Sequence, residues 1–212
     1  MPRQGLVMVE IRKISMSLQV SIFDTVKRTK TQLPLNAFFA LLFFFSACNN
    51  SVDTTKTSNF YFSLKDYFNT EAARLKQENV LVKKTVILND KAETKNLKIE
   101  DWNNELLTFS DADINKSAFV GKYSIDSVFK EGKLTSVSYI ANENKLKTKS
   151  ITLHFSDTES TPTSIDISLE TKNTLYHSTQ QLHYESKVGY SVMGTQEIRV
   201  LKKDEFQVKV SF

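Results

Sequence analysis

The chain changes its hydrophobic period near Gly121. Before that point, Leu64, Tyr67, Phe68, Ala72 and Leu75 recur at helical spacing and predict a helix over Ser63–Asn79. Ser63 and Asp66 fit its capping box, and Lys65, Glu71, Arg74 and Lys76 fall mostly on the opposite side. Val80–Leu88 is rich in β-branched residues and ends at Asn89-Asp90, a hairpin turn pair, so Ala92–Ile99 is the expected return strand. Asp101 is placed to cap a second helix running to about Ser110, with Trp102, Leu106 and Phe109 on one face. Asp111–Phe119 reads as a loop or a single helical turn. Beyond Gly121 the period is two. Tyr123, Ile125 and Phe129 alternate with polar residues, and so do Val137 and Tyr139, then Ile151, Leu153 and Phe155, then Ile165, Ile167 and Leu169. The pattern continues through Tyr176, Leu182, Tyr184, Tyr190, Val192, Ile198 and Val200 to Phe206, Val208, Val210 and Phe212. Gly194 inside such a run marks a bulge or a close backbone approach. One apolar and one polar face per strand, joined by short turns, predict an α+β fold. Its core is an antiparallel β-meander of about eight or nine strands with two helices covering one face.

A different pattern precedes all of this. In Val26–Asn50, VKRTKTQLPLNAFFALLFFFSACNN, basic Lys27, Arg28 and Lys30 lead through Pro34 into the apolar run Leu35–Phe45, then into small Ser46 and Ala47. Positive, apolar and small is the order of a secretory signal. Leu33–Ala47 as a helix would reach only about 22 Å, short of a hydrocarbon core of about 30 Å. Phe45-Ser46-Ala47-Cys48 resembles the lipobox of bacterial lipoproteins, with Phe45 where that class usually carries Leu. The resemblance implies cleavage before Cys48 and acylation of its thiol. Met1–Thr25 exceeds a signal of ordinary length, which predicts an over-long N-terminal extension and a true start at Met8, Met16 or nearer Val26. The expected organisation is a signal over 1–47, a lipidated polar tether over 48–59 and a single α+β domain over 60–212.

Charge and cysteine content narrow the reading. Six of the 28 basic and two of the 24 acidic side chains precede Cys48, so the chain after it is balanced at 22 of each sign. That balance gives no reason to expect nucleic acid as a partner. Cys48 is the single cysteine, so no intrachain disulfide is available and packing must supply stability.

The candidate chemistries fare poorly. DADINKSAF opens like a calcium loop with Asp111, Asp113 and Asn115, but Lys116 and Lys122 stand where that loop needs Gly and a bidentate Glu. His177 and His183 share one strand face yet sit about 20 Å apart, too far for one ion, and His154 belongs to another strand. Ser127-Val128-Phe129-Lys130 matches S-x-x-K, which requires a helix, whereas alternation here sends Ser127 and Lys130 to opposite faces. No nucleophile elbow and no phosphate loop occur among the five glycines. Asp101 and Glu105 form an i, i+4 carboxylate pair, which a helix start explains without catalysis. No catalytic residue, no metal site and no cofactor is expected.

The succession YFNTEAARL, VKKTV, DWNNEL, FSDADINKSAF and GYSVMGTQEI resembles an uncharacterised family of Bacteroidetes lipoproteins. That resemblance implies a lipid-anchored single-domain envelope protein and carries no activity with it. A sheet lined by helices is also similar in outline to periplasmic lipoprotein carriers and their outer-membrane acceptor, which implies Trp102, Phe109, Tyr139 and Phe155 as the lining of a hydrophobic-ligand cavity. An ordinary closed core is the competing expectation for the same four residues. Asn49 in place of Asp after Cys48, and no Lys with an acidic pair behind it, points to the outer membrane facing the periplasm. The expected function is a lipid-anchored, non-catalytic binding or interaction module. The alternatives are a subunit of an envelope assembly, a carrier-like lipid-binding domain, or a hydrolase with dispersed residues.

Overall fold

The computed structural model describes residues 60–156, 160–199 and 203–212, so Cys48, the signal and the tether lie outside the described residues. Helix α1 spans Leu64–Glu78. It starts where Ser63 turns into extended backbone and its hydroxyl accepts from the Asp66 N–H at 3.2 Å. It stops at Asn79, whose left-handed conformation (φ 50°) closes the last turn onto the Lys76 carbonyl. The strands are β1 (Leu81–Leu88), β2 (Lys91–Lys98), β3 (Tyr123–Lys130), β4 (Lys133–Ala141), β5 (Thr148–His154), β6 (Ser164–Lys172), β7 (Tyr176–Glu185), β8 (Gly189–Ile198) and β9 (Asp204–Ser211). Between β2 and β3 lie two short helices, α2 (Trp102–Glu105) and α3 (Leu107–Ser110), and a 3₁₀ turn at Ser117–Phe119.

The strands form one antiparallel sheet in the order β2-β1-β9-β8-β7-β6-β5-β4-β3. From β3 to β9 the chain meanders, each strand beside the next. The first hairpin departs from that plan, because β1 joins the last strand, β9, at the far end. Asn89 locks this junction: its N–H donates to the Glu205 carbonyl at 3.0 Å, and its side-chain oxygen accepts from the Glu205 N–H at 2.9 Å. Its amide also donates to Asp204 at 2.7 Å. Asn89 and Asp90 both take positive φ, 46° and 68°, as the two-residue turn between β1 and β2 requires.

Strand alternation becomes two facing carpets once the registers are followed across the sheet. Val86, Val208, Val192, Leu182, Ile167, Ile151, Tyr139 and Ile125 stand in one transverse row, with only Glu93 at the β2 edge breaking it. The neighbouring apolar row includes Val210, Tyr190, Tyr184, Ile165 and Leu153. Tyr139, Ile151, Leu153, Ile165, Ile167, Leu182, Tyr184, Tyr190 and Val210 of these rows belong to the buried core together with Leu64, Phe68, Leu75, Trp102, Leu106 and Phe109 from the helical segments. Phe68 meets Tyr184 edge-on at 5.1 Å, and Phe109 meets Tyr190 at 5.6 Å.

Two expectations change. The helix expected over Asp101 to Ser110 is interrupted at Leu106 (φ −91°, ψ 7°), although Trp102, Leu106 and Phe109 are all buried as their spacing demands. Glu71, expected mostly on the outer side of α1, is buried. It accepts hydrogen bonds from the Tyr184 hydroxyl and from Arg74 Nη2 at 2.8 Å, which satisfies its charge where Coulomb forces are least screened. A second carboxylate does the same one strand away. Glu105 of α2 accepts from the Tyr190 hydroxyl and from Lys84 Nζ at 2.5 Å. Tyr184 and Tyr190 are direct cross-strand partners, so two adjacent phenols tie two helix-borne carboxylates to the sheet.

Gly189 opens β8 with φ 153°, and a Cβ there would stand 2.1 Å from the Val210 carbonyl oxygen. Gly194 meets the expectation of a close approach, because a Cβ there would lie 2.4 Å from the Thr179 carbonyl oxygen and 2.9 Å from the Phe206 ring.

Candidate functional site

The opposite carpet is the larger feature. Thr94, Thr85, Lys209, Ser191, His183, Asp166, Thr152, Ser138 and Asp126, one residue from each of the nine strands, stand in a single transverse row. Every member is polar, and the row lies beside the apolar one on the other side of the pleat. Its members bond to one another. The hydroxyls of Thr85 and Thr94 lie 2.9 Å apart and those of Ser138 and Thr152 3.1 Å apart. Asp166 gathers two histidines, His183 Nδ1 at 2.7 Å and His154 Nε2 at 3.0 Å.

A second cluster lies nearby. Glu170 meets His177 Nε2 at 3.0 Å and Lys149 Nζ at 3.4 Å. The hydrogen bond from His177, and after it the one from Lys149, holds the Glu170 carboxyl below its ordinary range. A shallow depression of about 740 Å³ touches this polar side, with Thr179, Gln181, Met193, Thr195 and Gln207 in its lining. All three histidines therefore sit on one surface, each beside a carboxylate. Sequence alone gave no signal for this, because Asp166 meets His154 and His183 only through strand pairing. Among the described residues, no three His, Cys, Asp or Glu side chains converge on a metal-sized site.

The four aromatics proposed as a cavity lining are spread through the molecule. Trp102 is buried edge-on against Phe212 at 5.7 Å. Phe109 is buried among Phe68, Tyr184 and Tyr190. Tyr139 meets Tyr61 at 5.7 Å, and its hydroxyl accepts from the Phe62 N–H at 3.3 Å. Phe155 is half-buried at the core margin. None of the four lines either main depression, the one on the polar face or the one of about 800 Å³ beside the start of α1.

The loop 111–119 has a structural task. Asp113 is buried, and its carboxylate accepts from the Lys65 N–H at 2.7 Å, the Asn115 N–H at 2.6 Å and the Ser63 hydroxyl at 3.4 Å. It thus caps α1 from across the chain. Asn115 accepts from the Phe60 N–H at 3.0 Å, and Tyr61 donates to the Phe119 carbonyl and accepts from the Gly121 N–H, both at 3.0 Å. The loop therefore holds the segment where the described chain begins. Asp113→Ala is expected to cost about 1–2 kcal/mol, as loss of a helix cap does. Urea unfolding checks this, and an unchanged midpoint would show that the cap contributes nothing.

Asp101 caps α2, accepting from the Asn104 N–H at 3.0 Å, while Glu105 is engaged by Lys84 and Tyr190. Among the described residues no helix is long and apolar enough to cross a membrane. No protein-family model, no curated protein and no solved structure matches the chain.

Proposed function

We propose that this chain is a lipid-anchored, non-catalytic binding module of the bacterial envelope, held at the outer membrane through Cys48 and presenting the polar face of its sheet to a hydrophilic partner. The observation that carries the proposal is the unbroken row from Thr94 to Asp126. Each of the nine strands gives this row a hydroxyl, an imidazole or a charged group, while the core is built on the other face. In this reading residues 1–47 are the removed signal, 48–59 the tether and 60–212 the folded part, with the helices 64–78 and 102–110 covering the apolar face. Cys48 precedes Phe60 by twelve residues, so a fully extended tether would reach at most about 40 Å.

Two experiments test the two halves. Cys48→Ser is expected to leave an unacylated, unprocessed precursor, and wild-type protein found soluble in the cytoplasm with a free thiol would refute the anchor. A photo-crosslinking residue at Thr152 is expected to capture a discrete envelope species in intact cells, and one at Asn103 in α2 is expected to capture none. Capture from Asn103 alone, or from neither position, would move the binding surface elsewhere. The carrier-like reading gains no comparable support, since Trp102, Phe109 and Tyr139 each pack against other aromatics of the core.

A further inference from the structure

The two edges of the sheet are built differently. On β2, Lys91, Glu93, Lys95 and Lys98 put charges along the free edge, the usual guard against pairing with another chain. On β3 the sequence between Tyr123 and Lys130 is SIDSVF, with one charge and no proline. Ile125, Val128 and Phe129 are 57, 51 and 62% exposed. The apolar row that begins at Val86 ends at Ile125, beyond the buried part of the core.

The backbone at this edge also has a definite orientation. Lys130 pairs with Lys133 across the two-residue turn Glu131-Gly132, which makes them a hydrogen-bonded pair, and the Asn142 N–H donates to the Lys122 carbonyl at 2.9 Å. Even-numbered residues of β3 therefore bond toward β4. The N–H and C=O groups of Tyr123, Ile125, Ser127 and Phe129 point away from the sheet.

We propose that β3 joins two copies of this chain, antiparallel, about a two-fold axis at Ser127. The strand is complementary to itself in that register. Ile125 of each copy lies opposite Phe129 of the other, so these four side chains close over Ser127 and extend the apolar row from one sheet into the next, while Val128 lies opposite Asp126 on the other face. Lys130 lies opposite Ser124. Each Asp126 is diagonal to Lys130 of the other copy as well as to the other Asp126, so a cation balances each carboxylate. Centring the axis at Asp126 would set like charges face to face, and centring it at Val128 would place Ile125 against Glu131 and shorten the overlap. The contact is isologous, closes on itself and consumes the edge on both copies, which leaves the lysine-bearing β2 edges outermost.

The test uses the full chain in detergent, with Cys48→Ser so that an introduced thiol stands alone. Ser127→Cys with a short bis-maleimide is expected to give a covalent dimer, and Thr94→Cys on the β2 edge none. Sedimentation equilibrium is expected to return twice the chain mass, falling by half in Phe129→Asp and in Ile125→Lys while the thermal melts of both stay at the parent value. A parent chain that sediments as a monomer at concentrations on the order of 100 µM would overturn the proposal. So would equal crosslinking from both edges, or a dimer that survives both edge substitutions. Monomer with the Ser127 and Phe129 amides protected from hydrogen exchange would assign the edge to another segment of the same chain and equally refute the second copy.

Discussion

Trp102→Ala is expected to lower stability by about 3–5 kcal/mol, the range for deleting a fully buried aromatic. The indole is 2% exposed and sits at the start of α2, where Asp101 caps the turn and the Leu106 N–H donates to the Trp102 carbonyl at 2.9 Å. Its ring meets Phe212, which in turn leans on Tyr184 and Tyr190. Removing it opens a void between α2 and the end of β9 and loosens the residues that position Glu105. Because Trp102 is the single tryptophan, the measurement needs circular dichroism rather than fluorescence. Half-buried Phe155→Ala serves as the comparison and is expected to cost less. A loss below about 1 kcal/mol at Trp102 would mean that the ring borders space open to water or ligand, and would revive the carrier-like reading.

Much of the architecture was legible because alternation is a local signal. Ile165, Ile167 and Leu169 announce a one-sided strand whatever lies beside them, and they are buried in the core. Leu64, Phe68, Ala72 and Leu75 likewise define the inward stripe of α1. The sequence is silent where the answer depends on what meets what. Nothing in VKKTVIL says that this strand will lie beside the last one, because the pairing is set by Asn89 reaching residues more than a hundred positions away. Glu71 reads as an outward residue because burying a charge costs its hydration. It is buried because Arg74, one turn along, and Tyr184, from β7, arrive together to satisfy it. The polar row was foreseeable strand by strand, but the joining of His154 and His183 through Asp166 required the register. The surroundings of Trp102, Phe109, Tyr139 and Phe155 were hidden for the same reason: each carries an inward signal, and an inward signal does not state which neighbours it will find.

The paired phenols lead to an expected alkaline collapse. Burial, reinforced by the hydrogen bond to Glu71 and its charge, pushes the Tyr184 hydroxyl well above the ordinary tyrosine range. Burial and the charge of Glu105 do the same to Tyr190. A phenolate at either position would have to form without water and against a carboxylate. In the unfolded chain both groups ionise near pH 10, so above that pH the unfolded state sheds protons that the folded state retains. The stabilising effect is therefore complete below pH 10 and is lost as pH rises toward the folded values. Each tyrosine removes about 1.4 kcal/mol per pH unit in that interval, so the pair removes about 3 kcal/mol per unit. Burial also raises Tyr139, and raises Tyr123 to about 12, which steepens the fall. Urea unfolding at pH 9 and pH 11, with tyrosinate absorbance followed in parallel, is expected to show cooperative loss of structure coincident with ionisation of the buried groups. Tyr184→Phe and Tyr190→Phe are each expected to cost about 1–2 kcal/mol at neutral pH and to flatten the alkaline slope by one tyrosine's share. Smooth ionisation of all seven tyrosines near pH 10 in a chain that stays folded would show that the two carboxylate–phenol ties do not hold the helices to the sheet.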